Sequence, residues 1–314
     1  MRTGRSSILA ALAGGASLSL LIGVSAVAAP AANTPKTLAE AAYKAMGMTD
    51  VKLAPAEIVT LVTRGTMQAF DPGESTSVSD PYKPDWGTST FTESWDRSRE
   101  LYRVEWSRPR ANGQKRDYTA IFSREGGYVM GIDVNGGQPA RAINANANNP
   151  AHTMAALRLT VELRETERNN VIDLMHEHPD RLSEIADQKS GGKTYPAAQY
   201  RGDFGTYVVM FDRATKLPAV VRTRDFDVHA GDSDYDETLS DWRDAGEGLK
   251  MPFRRVYTLN GTKIFDVTIN QVRLNPQLAV DAFRAPVAIR GKAPAPAAIG
   301  KVPYQWIIRR LGNG

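Results

Sequence analysis

The chain has four histidines and no cysteine, which limits the metal chemistry open to it. His176-Glu177-His178-Pro179-Asp180 fills the first five positions of a His-x-His-x-Asp-His ligand pattern, and His229 and Asp232 lie downstream. A hydrolytic zinc centre needs about three protein ligands and an open position for water. The sixth position, however, is Arg181, and histidines at i and i+2 near a helix end point apart. The expectation is two exposed histidines at a helix C-terminus, with no metal and no cofactor. Asp225 and Asp227 share one face of a strand, with Arg222 and Arg224 on the other, which suits a solvated strand edge better than an acid/base pair. Ser240 has no patterned His and Asp partners, so no serine nucleophile is expected. No catalytic residue emerges. What remains is an aromatic and aliphatic stripe, Tyr102, Val104 and Trp106 on one strand with Tyr118 and Phe122 on the next. Such a stripe is the core of a filled sheet, or the lining of a ligand cavity in a barrel that fails to close. These five are the candidate ligand-binding residues.

The elements that carry the stripe are mostly strands. A short helix is expected over Thr37–Met46, then a strand over Ile58–Phe70 ended by Asp71-Pro72-Gly73. The polar, Pro-rich stretch Glu74–Gly87 reads as a loop. Ser89–Trp95 and Glu100–Trp106 follow, the latter alternating Tyr102, Val104, Trp106 against Arg103 and Glu105, one face buried and the other wet. Tyr118–Phe122 and Tyr128–Ile132 continue the sheet across Glu125-Gly126-Gly127, and Asp133–Pro150 reads as a loop. From Ala151 the period lengthens. Met154, Leu157 and Val161, then Val171, Leu174 and Met175, keep helical spacing, while Arg158, Glu162, Arg164, Glu165 and Arg168 are expected to face away. Pro179 breaks this segment, and a second short helix from Asp180 through Ile185 is expected to stop at Gly191-Gly192.

An antiparallel meander then runs from Tyr200 to Phe283, with strands over Thr206–Asp212, Ala219–Asp227, Tyr235–Trp242, Lys250–Leu259 and Thr262–Val272. Asn260-Gly261 between the last two is a strong hairpin signal, because both residues accept the positive φ of a type I′ turn. The fold class expected is α+β, a curved antiparallel sheet forming a half-open barrel with helices over its concave side.

The N-terminus reads as an export signal over residues 1–28. Arg2 and Arg5 precede a long apolar stretch from Ile8 to Val27, and Ala26-Val27-Ala28 offers small residues before a cut near Ala29. An uncleaved anchor is the competing reading. Loss of Arg2 and Arg5 takes the formal charge from +4 to +2, two cations fewer. The remaining cations are scattered among carboxylates, which excludes a nucleic-acid footprint. The absence of cysteine excludes disulfides and thiolate metal sites. A soluble periplasmic product is expected.

Val209 to Pro218, then Tyr235 to Arg243 followed by Gly248-Leu249-Lys250-Met251-Pro252, and a close on Leu274-Asn275-Pro276, Leu278, Phe283 and Pro286 resemble the outer-membrane lipoprotein carrier (LolA-like) family over Thr37–Pro286. The resemblance implies an incomplete barrel with helices lining its hollow, and binding of an acyl chain, a lipid or a lipidated partner there without catalysis. Gly300–Gly314, with Pro303-Tyr304-Gln305-Trp306-Ile307-Ile308-Arg309-Arg310-Leu311, is similar to the junction in exported metallo-β-lactamase-fold proteins, where a carrier-like domain precedes a zinc hydrolase. That similarity implies, as the alternative, an accessory domain or a fragment lacking its catalytic domain, with a metallo-hydrolase domain as partner. Residues 287–314 read as a Pro/Ala-rich linker and tail.

Overall fold

The computed structural model describes residues 34–48, 58–71, 81–109, 115–131, 151–227 and 231–284. All of them belong to the unit that begins at Asn33. The export signal, the loop at 133–150, the linker, and the Tyr304–Leu311 segment fall outside the described residues, as does His229.

Helix α1 (Pro35–Ala45) starts where its sequence directs. Thr34 Oγ1 accepts a hydrogen bond from the Thr37 amide at 3.2 Å and Pro35 takes the first turn, the position where a missing N–H costs nothing. It ends on Gly47, at φ +82, where a Cβ would sit 2.0 Å from the Gly248 carbonyl oxygen. Only glycine permits that approach.

The strands are β1 (Thr60–Asp71), β2 (Lys83–Asp96), β3 (Leu101–Pro109), β4 (Lys115–Ser123), β5 (Gly126–Gly131) and β6 (Ala151–Thr153). After the helices come β7 (Leu182–Glu184), β8 (Gln188–Ser190), β9 (Lys193–Tyr195), β10 (Ala197–Arg201), β11 (Thr206–Phe211) and β12 (Pro218–Asp227). The last are β13 (Gly231–Asp244), β14 (Lys250–Leu259) and β15 (Thr262–Leu274). Thirteen form one sheet in the order β6-β5-β4-β3-β2-β1-β15-β14-β13-β12-β11-β10-β7, with β8 and β9 a separate hairpin. Every pairing is antiparallel. Two meanders are thus joined at their centre by β1 and β15, in the register Leu61↔Leu274. Asn275, at φ +47, secures that seam by accepting from the amides of Val59 and Thr60 at 2.7 and 3.1 Å.

The two outer strands, β6 and β7, are linked directly by helices α2 (Ala156–Asn169) and α3 (Val171–Glu177). Laid end to end the helices span about 32 Å, whereas thirteen strands laid flat would be about 58 Å across. With only short turns to add, the chain bridges the edges because the sheet is curved, and the helices cross its concave side. The sheet stays open: the α+β half-barrel architecture holds.

Several local expectations are corrected. The Pro-rich stretch before Gly87 is not all loop, since β2 begins at Lys83 and pairs Lys83 with Asp71 beside a register shift that accommodates Pro84. Asp180–Ile185 forms no helix: a single 3-10 turn at Pro179–Arg181 leads straight into β7. Gly191 and Gly192, at φ +54 and +78, are the two-residue turn of the β8–β9 hairpin. On α2 the buried apolar residues are Leu159 and Leu163, with Thr160, Glu167 and Arg168 buried beside them, while Leu157 and Val161 are 56% and 43% exposed. The helix is rotated from the orientation its apolar spacing suggests, because the aromatic surface of β3 to β5 accepts Leu159 and Leu163. Asn260 and Gly261, at φ +48 and +88, make the expected hairpin turn.

Candidate functional site

Between the concave face and the helices lie three cavities with shared walls. The largest, about 390 Å³, is lined by Val104, Trp106, Tyr118, Phe265 and Val267, with Val161 of α2 above. A second of about 120 Å³ is bordered by Trp95, Tyr102, Val104 and Phe122. A third of about 100 Å³ lies under the α2–α3 junction, against Leu61, Ile172, Trp242 and Leu249. Asn169 and Arg255 border all three.

All five candidate ligand-binding residues border these spaces, in two different states. Tyr118 and Phe122 are 4% and 2% exposed and pack against Met154, Leu159, Leu163 and Phe204. Tyr102, Val104 and Trp106 are half-buried, as is every residue of β3. The expected alternation of one dry and one wet face is absent there because the inner face opens onto cavities. The outer face is also partly covered, with Arg103 donating to the Ala282 carbonyl at 2.9 Å and pairing with Glu105. Cross-strand stacking holds the stripe in place. Trp95 and Tyr102 have ring centroids 5.7 Å apart and Tyr102 and Phe122 5.2 Å, while Phe91 and Trp106 meet tilted at 5.1 Å.

The walls are not simply apolar. The polar side of α2, expected to face solvent, instead turns toward the sheet: Arg158 and Glu162 pair at 2.6 Å with side chains 13% and 18% exposed, and Arg168 is 8% exposed. Arg168 pairs with Glu165 and, through Nε, with Glu237 Oε2 at 3.0 Å. Glu237, on β13, is 2% exposed and accepts from the Tyr257 hydroxyl at 2.8 Å. Arg255 donates to Asn169 Oδ1 at 2.8 Å and lies 3.8 Å from Glu237. On the opposite wall Glu93 accepts from Thr63 Oγ1 at 3.2 Å.

Burial pushes the Glu93 carboxyl up, and the Arg255 charge and the Thr63 hydrogen bond only partly offset it. Burial likewise raises Glu165 against the pull of Arg168. Burial opposes the Arg168 charge, but Glu165 and Glu237 outweigh it and hold the guanidinium well above its usual value. Burial and then Glu237 raise the Tyr257 phenol. Glu93, Arg168, Glu237 and Arg255 were missed by the sequence reading. The available signal was a charged residue on the inward parity of an otherwise apolar strand, as Glu93 sits between Phe91 and Trp95.

The other chemical candidates resolve into structural roles. The His176 ring stacks on Tyr43 with centroids 3.9 Å apart, and His178 caps α3. Both are half-buried, not exposed as expected, because α3 packs against α1. Among the described residues no group of three or more His, Asp or Glu is placed to hold a metal. Asp225 pairs with Arg164 of α2, on a strand with neighbours on both sides, so it is not a solvated edge position. The Ser240 hydroxyl points to the Arg254 carbonyl at 3.5 Å. No described helix is long and apolar enough to cross a membrane.

Searches against family models and against curated proteins find no match. Among solved structures there is similarity to a Vibrio parahaemolyticus domain whose name places it with outer membrane lipoprotein-sorting proteins. It shows 11% identity over 80% of this chain and 97% of that one, with a TM-score of 0.45. PNGF-II is matched at 9% identity, over 80% of this chain and 33% of that one, with a TM-score of 0.18. Scores this low carry no argument. The class, an open α+β half-barrel with helices in its concavity, rests on the strand pairing itself.

Proposed function

We propose that this chain is a non-enzymatic binding or carrier module that works outside the cytoplasm and holds a lipid, an acyl chain or a lipidated partner between its curved sheet and α2. The observation that carries the reading is the cavity of about 390 Å³ walled by Val104, Trp106 and Tyr118, a size in the range of about 300–1,000 Å³ common for small-molecule pockets. Apolar burial at about 25 cal/mol per Å² supplies the driving force. The sequence resemblance to lipoprotein carriers and the N-terminal export pattern favour the same reading.

The guest surface is amphipathic, since Glu93, Glu162 and Glu165 share the wall with the aromatics. A guest that fills the space must therefore leave those carboxylates hydrated or hydrogen-bonded. The test is mass spectrometry of an organic extract of the purified protein, with Trp106→Asp beside the wild type. Trp106 is chosen over Phe122 because a charge at a 2% exposed core position would unfold the sheet. Lipid is expected in the wild-type extract and not in the variant, with circular dichroism unchanged; lipid retained by the variant overturns the assignment.

A further inference from the structure

Arg108 and Arg116 stand directly opposite each other on β3 and β4. They share the inward parity of Trp106 and Tyr118, two residues along each strand. Like charges placed directly opposite destabilise a sheet, and among the described residues neither arginine has a carboxylate partner. Arg108 Nε and Arg116 Nη1 are buried with no hydrogen-bond acceptor. The Arg108 guanidinium lies 4.5 Å from the centroid of the Trp106 ring and 5.9 Å from that of Tyr118, which holds it at the wall of the largest cavity. Stacking of this kind orients a guanidinium but offers its N–H groups no acceptor. Arg168 Nε and Arg255 Nε also lack a well-aligned acceptor, but those side chains and Arg158 have ion-pair partners, Arg158 in Glu162, Arg168 in Glu165 and Glu237, and Arg255 in Glu237 at 3.8 Å.

We propose that Arg108 and Arg116 bind the anionic head, a phosphate or a carboxylate, of an amphiphile whose apolar part occupies the largest cavity. The planar guanidinium fork matches either oxyanion. In the deeper wall Arg158 and Arg168 are already paired with Glu162 and Glu165, and Arg255 faces Glu237, which leaves Arg108, among the described residues, as the cation of that wall without a carboxylate partner and directs an anionic head toward it. The proposal rests on the carrier reading and adds the head-group class to it.

Isothermal titration calorimetry on the full chain, with decyl phosphate, decyl maltoside and inorganic phosphate as probes, tests it. Decyl phosphate is expected to bind about tenfold or more tighter than the neutral maltoside. In the R108Q/R116Q double variant the two amphiphiles are expected to bind alike, with maltoside affinity unchanged. The thermal midpoint of that variant is not expected to fall, because the substitutions relieve like-charge repulsion; a lower midpoint together with loss of maltoside binding would show a structural role and overturn the proposal. Equal affinity of the two amphiphiles for the wild type overturns the head-group assignment and leaves the cavity reading in place. Failure of both to bind overturns the carrier reading and the proposal with it. Inorganic phosphate binding as tightly as decyl phosphate identifies a site for a free anion and overturns the amphiphile.

Discussion

Glu237 is the carboxylate on which the inner charge network turns, and Glu237→Gln perturbs it with little change of shape. The side chain is 2% exposed, lies between Arg168 Nε at 3.0 Å and Arg255 at 3.8 Å, and accepts from Tyr257 at 2.8 Å. The glutamine keeps an acceptor for the phenol but removes the charge that compensates two arginines, each less than a tenth exposed. Among the described residues Arg168 then keeps only Glu165, whose side chain is 41% exposed, as a carboxylate partner, and breaking a buried pair by removing one partner costs about 3–5 kcal/mol. Set against a total stability of about 5–15 kcal/mol, that is severe, and it corresponds to a fall in Tm of roughly 6–20 °C for a chain of this size. Urea unfolding supplies the free energies. Adding Arg168→Met to Glu237→Leu removes the principal cation and anion together, and is expected to recover about 1–3 kcal/mol relative to the sum of the single changes. A Glu237→Gln variant within about 0.5 kcal/mol of the wild type, or a strictly additive pair, would refute the claim that α2 is held over the cavity by this network.

Two further outcomes follow from the same packing. Glu167, 6% exposed on α2, accepts from the amides of Asp203 and Phe204 at 2.8 and 2.9 Å and from the Tyr207 hydroxyl at 2.9 Å. Glu167→Ala strands these donors at about 1–3 kcal/mol each and should cost about 3 kcal/mol or more in urea unfolding; a loss under about 1 kcal/mol would contradict it. Burial raises Glu93 above its ordinary value of 4.5, so the folded state holds the extra proton more tightly than the unfolded one. The stability tied to Glu93 is then greatest below pH 4.5 and is lost as pH rises through the raised value. Glu93→Gln should accordingly gain in Tm over the wild type from acid to neutral pH; parallel Tm curves would count against that reading.

Much of the sheet was legible because its signals are local. Alternation in Tyr102, Val104 and Trp106 and the Asn260-Gly261 turn each report on residues a few positions away, and β14 matches its expected span of Lys250–Leu259. The seam between β1 and β15 was not legible, since nothing near Leu61 specifies Leu274 as its partner and the choice is made by the curvature of the finished sheet. The Pro-rich start of β2 failed for the opposite reason, its local composition opposing a strand that pairing with β1 stabilises.

The site was half legible for a reason that bears on its chemistry. An amphipathic helix is ordinarily read by sending its charges to water, and on α2 that rule selects Leu157 and Val161 for the core and Arg158, Glu162 and Arg168 for solvent. The reverse arrangement is stable only where the inside is roomy enough to hydrate charges and supplies partners for them, here Glu237, Arg255 and Asn169. A sheet plugged by its own side chains could do neither. The inward polar face of α2 and the unfilled space beneath it are therefore one feature. Val161, 43% exposed on the same helix, borders the largest cavity, so that cavity opens to solvent beside an apolar side chain.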